Sequence, residues 1–422
     1  MKFDYLRGGV SALGLMAALT FGAATAQATE GYFQTGYGTV QKALAGAGVA
    51  NPEDAMTLSV NPAGLVSVGR QFEAAFTLFS PQRDYTAGAL PGGMGPMPGK
   101  VESKSTLFLM PNMAYSAPID AQSAWGVAVF GNGGMNTNYH ASIFGGGYAG
   151  VNLEQMFVTV GYARKMGELS VGVAPVVAMQ KFRADGLWAF TGLSLDGANM
   201  TGGEDSYSFG AGLKLGMQWD IAKGVRLGLS GQTPIWMTSF DKYKGLFAGG
   251  GDFDIPGSIT AGIAVDVAPT LTLMADYRHI FYSAIPAISN SPSNIAVCMG
   301  GNASYCFGGA NGPGFGWHDI DAVSVAAAWK ATNDLTVRLG YSHNTNPIKA
   351  SDVMLNILAP GVVTDHISAG LSWNMSKNLT IDVAAGYVPR HDLTGINVFG
   401  GGQVIKLSME QYEASLGVRY RY

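Results

Sequence analysis

The sequence predicts an all-β fold, a transmembrane antiparallel β-barrel of about fourteen strands with an N-terminal hatch (a plug) inside the lumen. Three observations predict it. Charged residues make up 13% of the 422, while 60 residues are glycine and 11% are aromatic; a soluble domain usually carries roughly 25% charge. Runs of about ten residues alternate strictly between apolar and polar, as strands facing lipid on one side do. The connections between runs are short and long in turn, the pattern of barrels with short periplasmic turns and long outer loops. An apolar content of 47% excludes disorder, and a net charge of −4 excludes a strongly basic nucleic-acid binder.

The N-terminus reads as an export signal over residues 1–28. Lys2 and Arg7 precede an apolar run from Gly8 to Gly22, and Ala24-Thr25-Ala26 and Ala26-Gln27-Ala28 offer small-residue cleavage sites. No later apolar run approaches the ~18 residues of a spanning helix. A mature chain that enters the membrane must therefore do so as a closed barrel, which pairs every strand backbone.

Residues 29–68 do not alternate. They are rich in small residues, with turn signals at Asn51-Pro52 and Asn61-Pro62. About forty residues with this much apolar content read as a hatch within the lumen, the alternative being a free periplasmic extension. The motif Asn61-Pro62-Ala63-Gly64 marks its turn: Asn61 is expected to bond hatch or barrel backbone, and Pro62 to fix the bend.

The barrel is expected over residues 69–422. Leu271, Leu273, Ala275 and Tyr277 share one face, opposed by Thr272, Met274, Asp276 and Arg278. Runs at Leu335–Ser342, His366–Trp373 and Leu379–Tyr387 alternate likewise, each with an aromatic near one end, as an interfacial girdle requires. Early strands are apolar on both faces: Phe72, Ala74, Phe76 and Leu78 are backed by Ala75 and Phe79, and Val171, Val173 and Val177 by Ala174, Val176 and Ala178. A water-filled pore needs a polar lumen face, and here part of that face is greasy.

Polar turns lie near residues 117–120, 165–168, 220–223, 266–269, 331–334 and 375–378. Long loops lie near 86–100, 131–150, 185–204, 240–251, 284–316, 345–363 and 391–405. Six turns and seven loops give fourteen strands, an even number, with both termini on the periplasmic side. The last strand alternates up to Tyr422, resembling the C-terminal signal by which outer-membrane barrels are handed to the assembly machinery.

At this point the sequence resembles the long-chain fatty acid transporter family of outer-membrane barrels, which includes aromatic-hydrocarbon transporters. The residues that carry the resemblance are Gly36–Val49 (GYGTVQKALAGAGV), Asp54-Ala55, Asn61-Pro62-Ala63-Gly64, Met110–Tyr115 (MPNMAY), Ala117-Pro118-Ile119, Trp125-Gly126, Asn152–Met156 (NLEQM) and Gly161-Tyr162-Ala163. The resemblance covers about the first 190 residues by motif and the remainder by architecture. It implies a fourteen-stranded barrel with an N-terminal hatch in the outer membrane of a Gram-negative bacterium. It further implies passive uptake of hydrophobic molecules, either fatty acids or hydrocarbons, which leave sideways into the bilayer where the third strand is kinked. That place corresponds to Phe130, Gly131, Asn132, Gly133 and Gly134. Glycines break a ladder and permit a bulge; they also start loops, and both readings stay open on the sequence.

Several outer loops are apolar, among them Leu90–Pro98, Leu187–Phe190, Ala284–Ile288 and Met354–Ala359. Exposed apolar loops mark binding surfaces, so Trp188 and Phe190 are candidate ligand contacts. Lys181 and Arg183 share a strand face and could anchor a fatty acid carboxylate by charge-assisted hydrogen bonds, or sit at the membrane edge. Where fatty-acid-transporting relatives carry a carboxylate-binding arginine, this chain has Gly186, which leaves neutral hydrocarbons open.

Cys298 and Cys306, the only cysteines, read as a disulfide closing a small outer loop of an exported protein. No Cys or His stands near them at metal-ligand spacing, His318, Asp319 and Asp321 fall on opposite strand faces, and no nucleophile–base pair is legible. The expectation is therefore no enzyme, no cofactor and no metal, no nucleic acid, and a monomer in outer-membrane lipid whose partners are hydrophobic small molecules. The alternatives are a general porin for polar solutes, which would need charges lining the early strands, and a surface adhesin or receptor, which would need no hatch.

Overall fold

The computed structural model describes residues 30–422; the expected export signal and Thr29 lie outside them. Fourteen antiparallel strands form the wall: β1 (Gln71–Ala87), β2 (Phe108–Pro118), β3 (Ser123–Asn138), β4 (Gly150–Met166), β5 (Leu169–Asp185), β6 (Ser206–Ala222), β7 (Val225–Gln232), β8 (Ser258–Ala268), β9 (Leu271–Ile280), β10 (Ile320–Lys330), β11 (Leu335–Asn344), β12 (Asp365–Asn374), β13 (Leu379–Asn397) and β14 (Gln403–Arg421). Each pairs with its sequence neighbour, and β1 closes on β14 from Gln71↔Arg421 to Ala87↔Ile405. Closure leaves no free terminal strand, because the first strand pairs with the last.

The period-two pattern sets which side chain meets which phase. Along β5, Val171, Val173 and Val177 are exposed while Ala174, Val176 and Ala178 are buried. Trp125, Tyr162, Trp219, Trp329, Trp373 and Tyr420 are exposed near the short turns, and Tyr277, Tyr341, Tyr387 and Tyr412 near the loops. These are the two aromatic belts of an outer-membrane barrel, with apolar side chains between them.

Two of the expected loops are partly strand. Residues 131–138 extend β3, because they keep pairing with β4 from Gly131↔Met156 to Asn138↔Gly150. Residues 391–397 and 403–405 belong to β13 and β14, which run on beyond a bulge between Val388 and His391, with β14 still paired to β1 as far as Ile405. The segment at 99–102 likewise pairs with the outer end of β1.

Residues 30–68 pack against the inner wall and are mostly buried. They hold three short helices, α1 (Gly38–Ala43), α2 (Thr57–Val60) and α3 (Leu65–Val68), with a 3₁₀ turn at Pro62–Gly64. Asn61 caps that turn: its Oδ1 accepts from the Ala63 amide at 3.1 Å, and Pro62 stands at the first position, where a missing N–H is harmless. Asn61 Nδ2 donates to the carbonyls of Val49 (2.8 Å) and of Met217 in β6 (3.0 Å).

Polar ties run from this segment to the wall in several directions. Lys42 pairs with Glu413 of β14 at 2.8 Å, Glu30 with Arg278 of β9 at 2.9 Å, and Glu53 with Arg338 of β11. Asp276 of β9 accepts from the amides of both Gly48 and Val49 at 2.8 Å. Arg226 of β7 donates to Asn51 at 3.0 Å.

The wall is cut away where the segment touches it. A Cβ on Gly126, Gly161, Gly172, Gly216, Gly228, Gly262, Gly340, Gly370 or Gly417 would come closer than 3.0 Å to atoms of residues 39–65. These nine glycines come from nine different strands. Glycine weakens a strand interior, so its repeated use here is explained by close backbone approach.

Candidate functional site

The wall has one marked discontinuity. β2 pairs with β3 only from Pro118↔Ala124 to Asn112↔Phe130. Beyond that point β2 continues against β1 as far as Phe108↔Phe79, and β3 continues against β4 alone. The register of β3 on β4 shifts between Gly131 and Gly133, leaving Asn132 as the extra residue of a bulge. Phe130, Gly131, Asn132, Gly133 and Gly134 are all buried here, within a strand and not at the start of a loop.

Residues 30–37 fill the inner side of this break. Gln34 N–H donates to the Asn132 carbonyl at 3.2 Å and its Nε2 to the Gly131 carbonyl at 2.8 Å. Gly134 N–H donates to the Tyr32 carbonyl at 3.0 Å, and Tyr37 OH donates to Asn132 Oδ1 at 2.7 Å. A relay of amides supports the bulge from behind: Asn132 Nδ2 to Gln155 Oε1, Gln155 Nε2 to Gln180 Oε1, and Gln180 Nε2 to the Phe253 carbonyl, each 2.8 Å. Buried amides with complete partners rigidify a site. Gln155 and Gln180 escape sequence reasoning, although a lone amide on an otherwise apolar inward face is the signal that could have found them.

The N-terminal residues are themselves held. Burial pushes the Glu30 carboxyl up, and Arg278, 2.9 Å away, acts against that shift. Burial also raises the phenols of Tyr32 and Tyr282 well above their usual value, so both stay neutral. Tyr282 OH donates to the Glu30 carbonyl at 2.7 Å and accepts from the Tyr32 amide at 3.0 Å.

Above the break, between the outer loops, lies a narrow apolar cleft of about 40 Å³. Phe182, Phe190, Phe247, Phe307, Leu355 and Leu358 are among its walls, and none of the lining residues is charged. Rings lead from the cleft toward the break: Phe182 to Phe247 at 4.8 Å, Phe247 to Phe253 at 4.8 Å, Phe253 to Tyr32 at 6.3 Å, and Tyr32 to Phe33 at 5.4 Å. Phe33 in turn bridges to Gly133. All belong to one buried apolar cluster that also contains Phe130 and Tyr37.

The candidate ligand contacts separate. Phe190 is buried and lines the cleft. Trp188 is half-exposed over Gly146, beside Arg183, in a more polar outer groove. Lys181 and Arg183 do not reach the cleft. They share the outward parity of Val173 and Val177, whereas Phe182, between them, points in. Their charges are met by Glu154 at 3.0 Å and by Asp185 at 3.0 Å. The reason is register: one residue of offset moves a side chain to the other face of the wall.

Cys298 and Cys306 are disulfide-bonded in the loop between β9 and β10, with Cα atoms 4.8 Å apart. Tyr422 follows β14, mostly exposed, with its amide donating to the Arg70 carbonyl at 3.3 Å.

The sequence profile described as outer membrane protein transport protein (OMPP1/FadL/TodX) matches residues 15–397. No curated protein matches the chain in sequence. Among solved structures, the chain is similar to the toluene transporter TodX of P. putida, with 17% identity, a TM-score of 0.66, and coverage of 92% of this chain and 99% of that one. A Pseudomonas aeruginosa FadL homologue matches with 16% identity and a TM-score of 0.68, and the Ralstonia pickettii toluene transporter TbuX with 17% and 0.63, both at the same coverage. At such identities the likeness is one of fold.

Proposed function

The chain belongs to the outer membrane protein transport family (OMPP1/FadL/TodX), and from that premise we propose that it is a passive outer-membrane channel for neutral hydrophobic molecules, captured in the outer-loop cleft and released sideways through the wall at the break in β3. Residues 30–68 act as its hatch and close the straight path to the periplasm. Two structural relatives, TodX and TbuX, are toluene transporters, which agrees with this substrate class.

The observation that carries the reading is the end of the β2–β3 ladder at Asn112↔Phe130, with a continuous apolar cluster behind it. Unpaired backbone is costly where lipid has no hydrogen bonds to give. Here the Gly134 N–H and the carbonyls of Gly131 and Asn132 find partners in residues 30–37 instead, so these backbone groups of β3 are satisfied without β2. The substrate class follows from the cleft. A carboxylate brought among Phe190, Phe307 and Leu358 would meet no cation, and an unpaired buried charge is strongly disfavoured.

Deleting Asn132 tests the route. Removal of the extra residue restores a regular β3–β4 register and straightens the strand toward β2. Uptake of radiolabelled toluene by cells making the variant is expected to fall, with heat-modifiable gel mobility unchanged. Undiminished toluene uptake through a folded variant would exclude lateral release and favour an axial route past the hatch.

A further inference from the structure

The short-turn end of the barrel opens into a vestibule of about 930 Å³ beneath the hatch. Six cations line it, Lys223, Arg226, Lys330, Arg338, Arg419 and Arg421, against two carboxylates, Glu53 and Asp266. Three of the cations are already engaged: Arg226 with Asp266 at 2.8 Å, Arg338 with Glu53, and Arg419 with Asp382 at 2.6 Å. Lys223, Lys330 and Arg421 form no ion pair among the described residues. The whole chain is acidic, at −4, so this concentration of unmatched positive charge is local.

The unmatched cations are spread around the rim. Lys223 precedes β7, Lys330 ends β10 and Arg421 ends β14. At ~4.8 Å between neighbouring strands, three steps separate the first two by about 14 Å along the wall, and four steps separate the next two by about 19 Å. A phosphate or a single carboxylate spans a fraction of either distance. An extended chain advances about 3.3 Å per residue, so carboxylates four to six residues apart match both spacings. Thr270, Thr336 and Asn374 supply neutral hydrogen-bonding groups between the cations. Low-dielectric walls lined with one sign of charge concentrate the opposite sign.

We propose that this vestibule is a docking site for an acidic, extended peptide segment of a periplasmic protein. It is separate from the hydrophobic route, because the hatch lies between the two. The segment's carboxylates pair with Lys223, Lys330 and Arg421, while Arg226, Arg338 and Arg419 keep their internal partners. Because the pairs are solvent-accessible, binding is salt-dependent.

The test uses the full-length barrel in a non-ionic detergent and a fluorescein-labelled twelve-residue peptide of alternating glutamate and serine, read by anisotropy. The glutamine counterpart is the control. The acidic peptide is expected to bind, the glutamine peptide not to bind, and affinity to fall as salt rises. Lys223→Glu with Lys330→Glu, neither residue being tied into the fold by an ion pair, is expected to weaken binding by about tenfold or more, with heat-modifiable mobility unchanged. The milder pair Lys223→Gln and Lys330→Gln gives the same reading with a smaller loss. Equal binding of the glutamine peptide, or no loss in the folded variants, overturns the proposal. Displacement of the peptide by millimolar inorganic phosphate at constant ionic strength also overturns it, in favour of a small-anion site.

Discussion

The Tyr32 carbonyl occupies the space that a side chain on Gly133 would need. A Cβ there would overlap that oxygen, which also accepts the Gly134 N–H at 3.0 Å. The bare backbone at Gly133 is thus what lets the N-terminal segment lie along β3. Gly133→Ala is expected to push residues 30–34 off the strand and leave the barrel intact. Two or more hydrogen bonds of about 0.5–1.5 kcal/mol each would be lost. Amide exchange of residues 30–37 should then quicken by about tenfold or more, with the exchange of β9–β14 unchanged.

Phe190 and Lys181 answer different questions about the ligand. Phe190→Asp places a charge in a cleft lined by Phe307 and Leu358, and toluene uptake should fall by about tenfold or more. Lys181→Ala removes an outward-facing cation already paired with Glu154, and uptake should stay within about twofold. The reverse ranking would place entry at the outward face around Lys181 and not in the cleft.

Asp276 accepts from two successive amides in the middle of the N-terminal segment, Gly48 and Val49. In Asp276→Ala the Gly48 and Val49 amides lose their common acceptor, at about 1–3 kcal/mol for each buried donor left unpaired. Hydrogen exchange read by mass spectrometry should show residues 46–51 opening about a hundredfold more often, while the strand ladders keep their protection. No local acceleration would mean that the segment is held by its other ties.

The hold on residue 53 should weaken in acid. Burial alone would raise the Glu53 carboxyl, but Arg338, assisted by Arg419 and Lys330, holds it below its usual value. A carboxylate depressed in the folded state stabilises above its unfolded value, about 4.3, and loses that contribution as pH falls through the folded value. Protease resistance of the hatch should therefore be steady from neutral pH to about 5 and decline below about 4 as far as Glu53 is responsible. Glu53→Gln should be less resistant at neutral pH and lack that part of the decline.

Much of the wall was legible because alternation is a local property. Leu271–Tyr277 and Leu379–Tyr387 name their own lipid faces, and the short turns between runs give the strand number. Long-range pairing was not legible. Nothing near Gly131–Gly134 announces that the chain stays in strand, since the partner that holds it there is β4, with Met156 and Gln155 opposite. The face of Lys181 was written in its parity with Val173 and Val177. With both faces of β5 apolar, however, the sequence does not say which one is the lumen. Gly340 and Gly370 read as ordinary members of polar faces, and only the segment packed against them shows why a side chain is missing.

The nine glycines that receive residues 39–65 also set what that segment cannot do. An axial slide of two residues, about 6–7 Å along a strand, would carry each backbone contact off its glycine and onto a neighbour such as Ser342, Ser372 or Ser415, whose side chain projects inward. Nine such collisions would come at once, on strands around most of the circumference. The seat behaves like a key cut to one depth, and piston travel is excluded by the wall. Whatever movement admits a substrate must then be a local peeling of residues 30–37, which rest on hydrogen bonds, rings and the Glu30–Arg278 ion pair and meet the wall glycines only at Gly133.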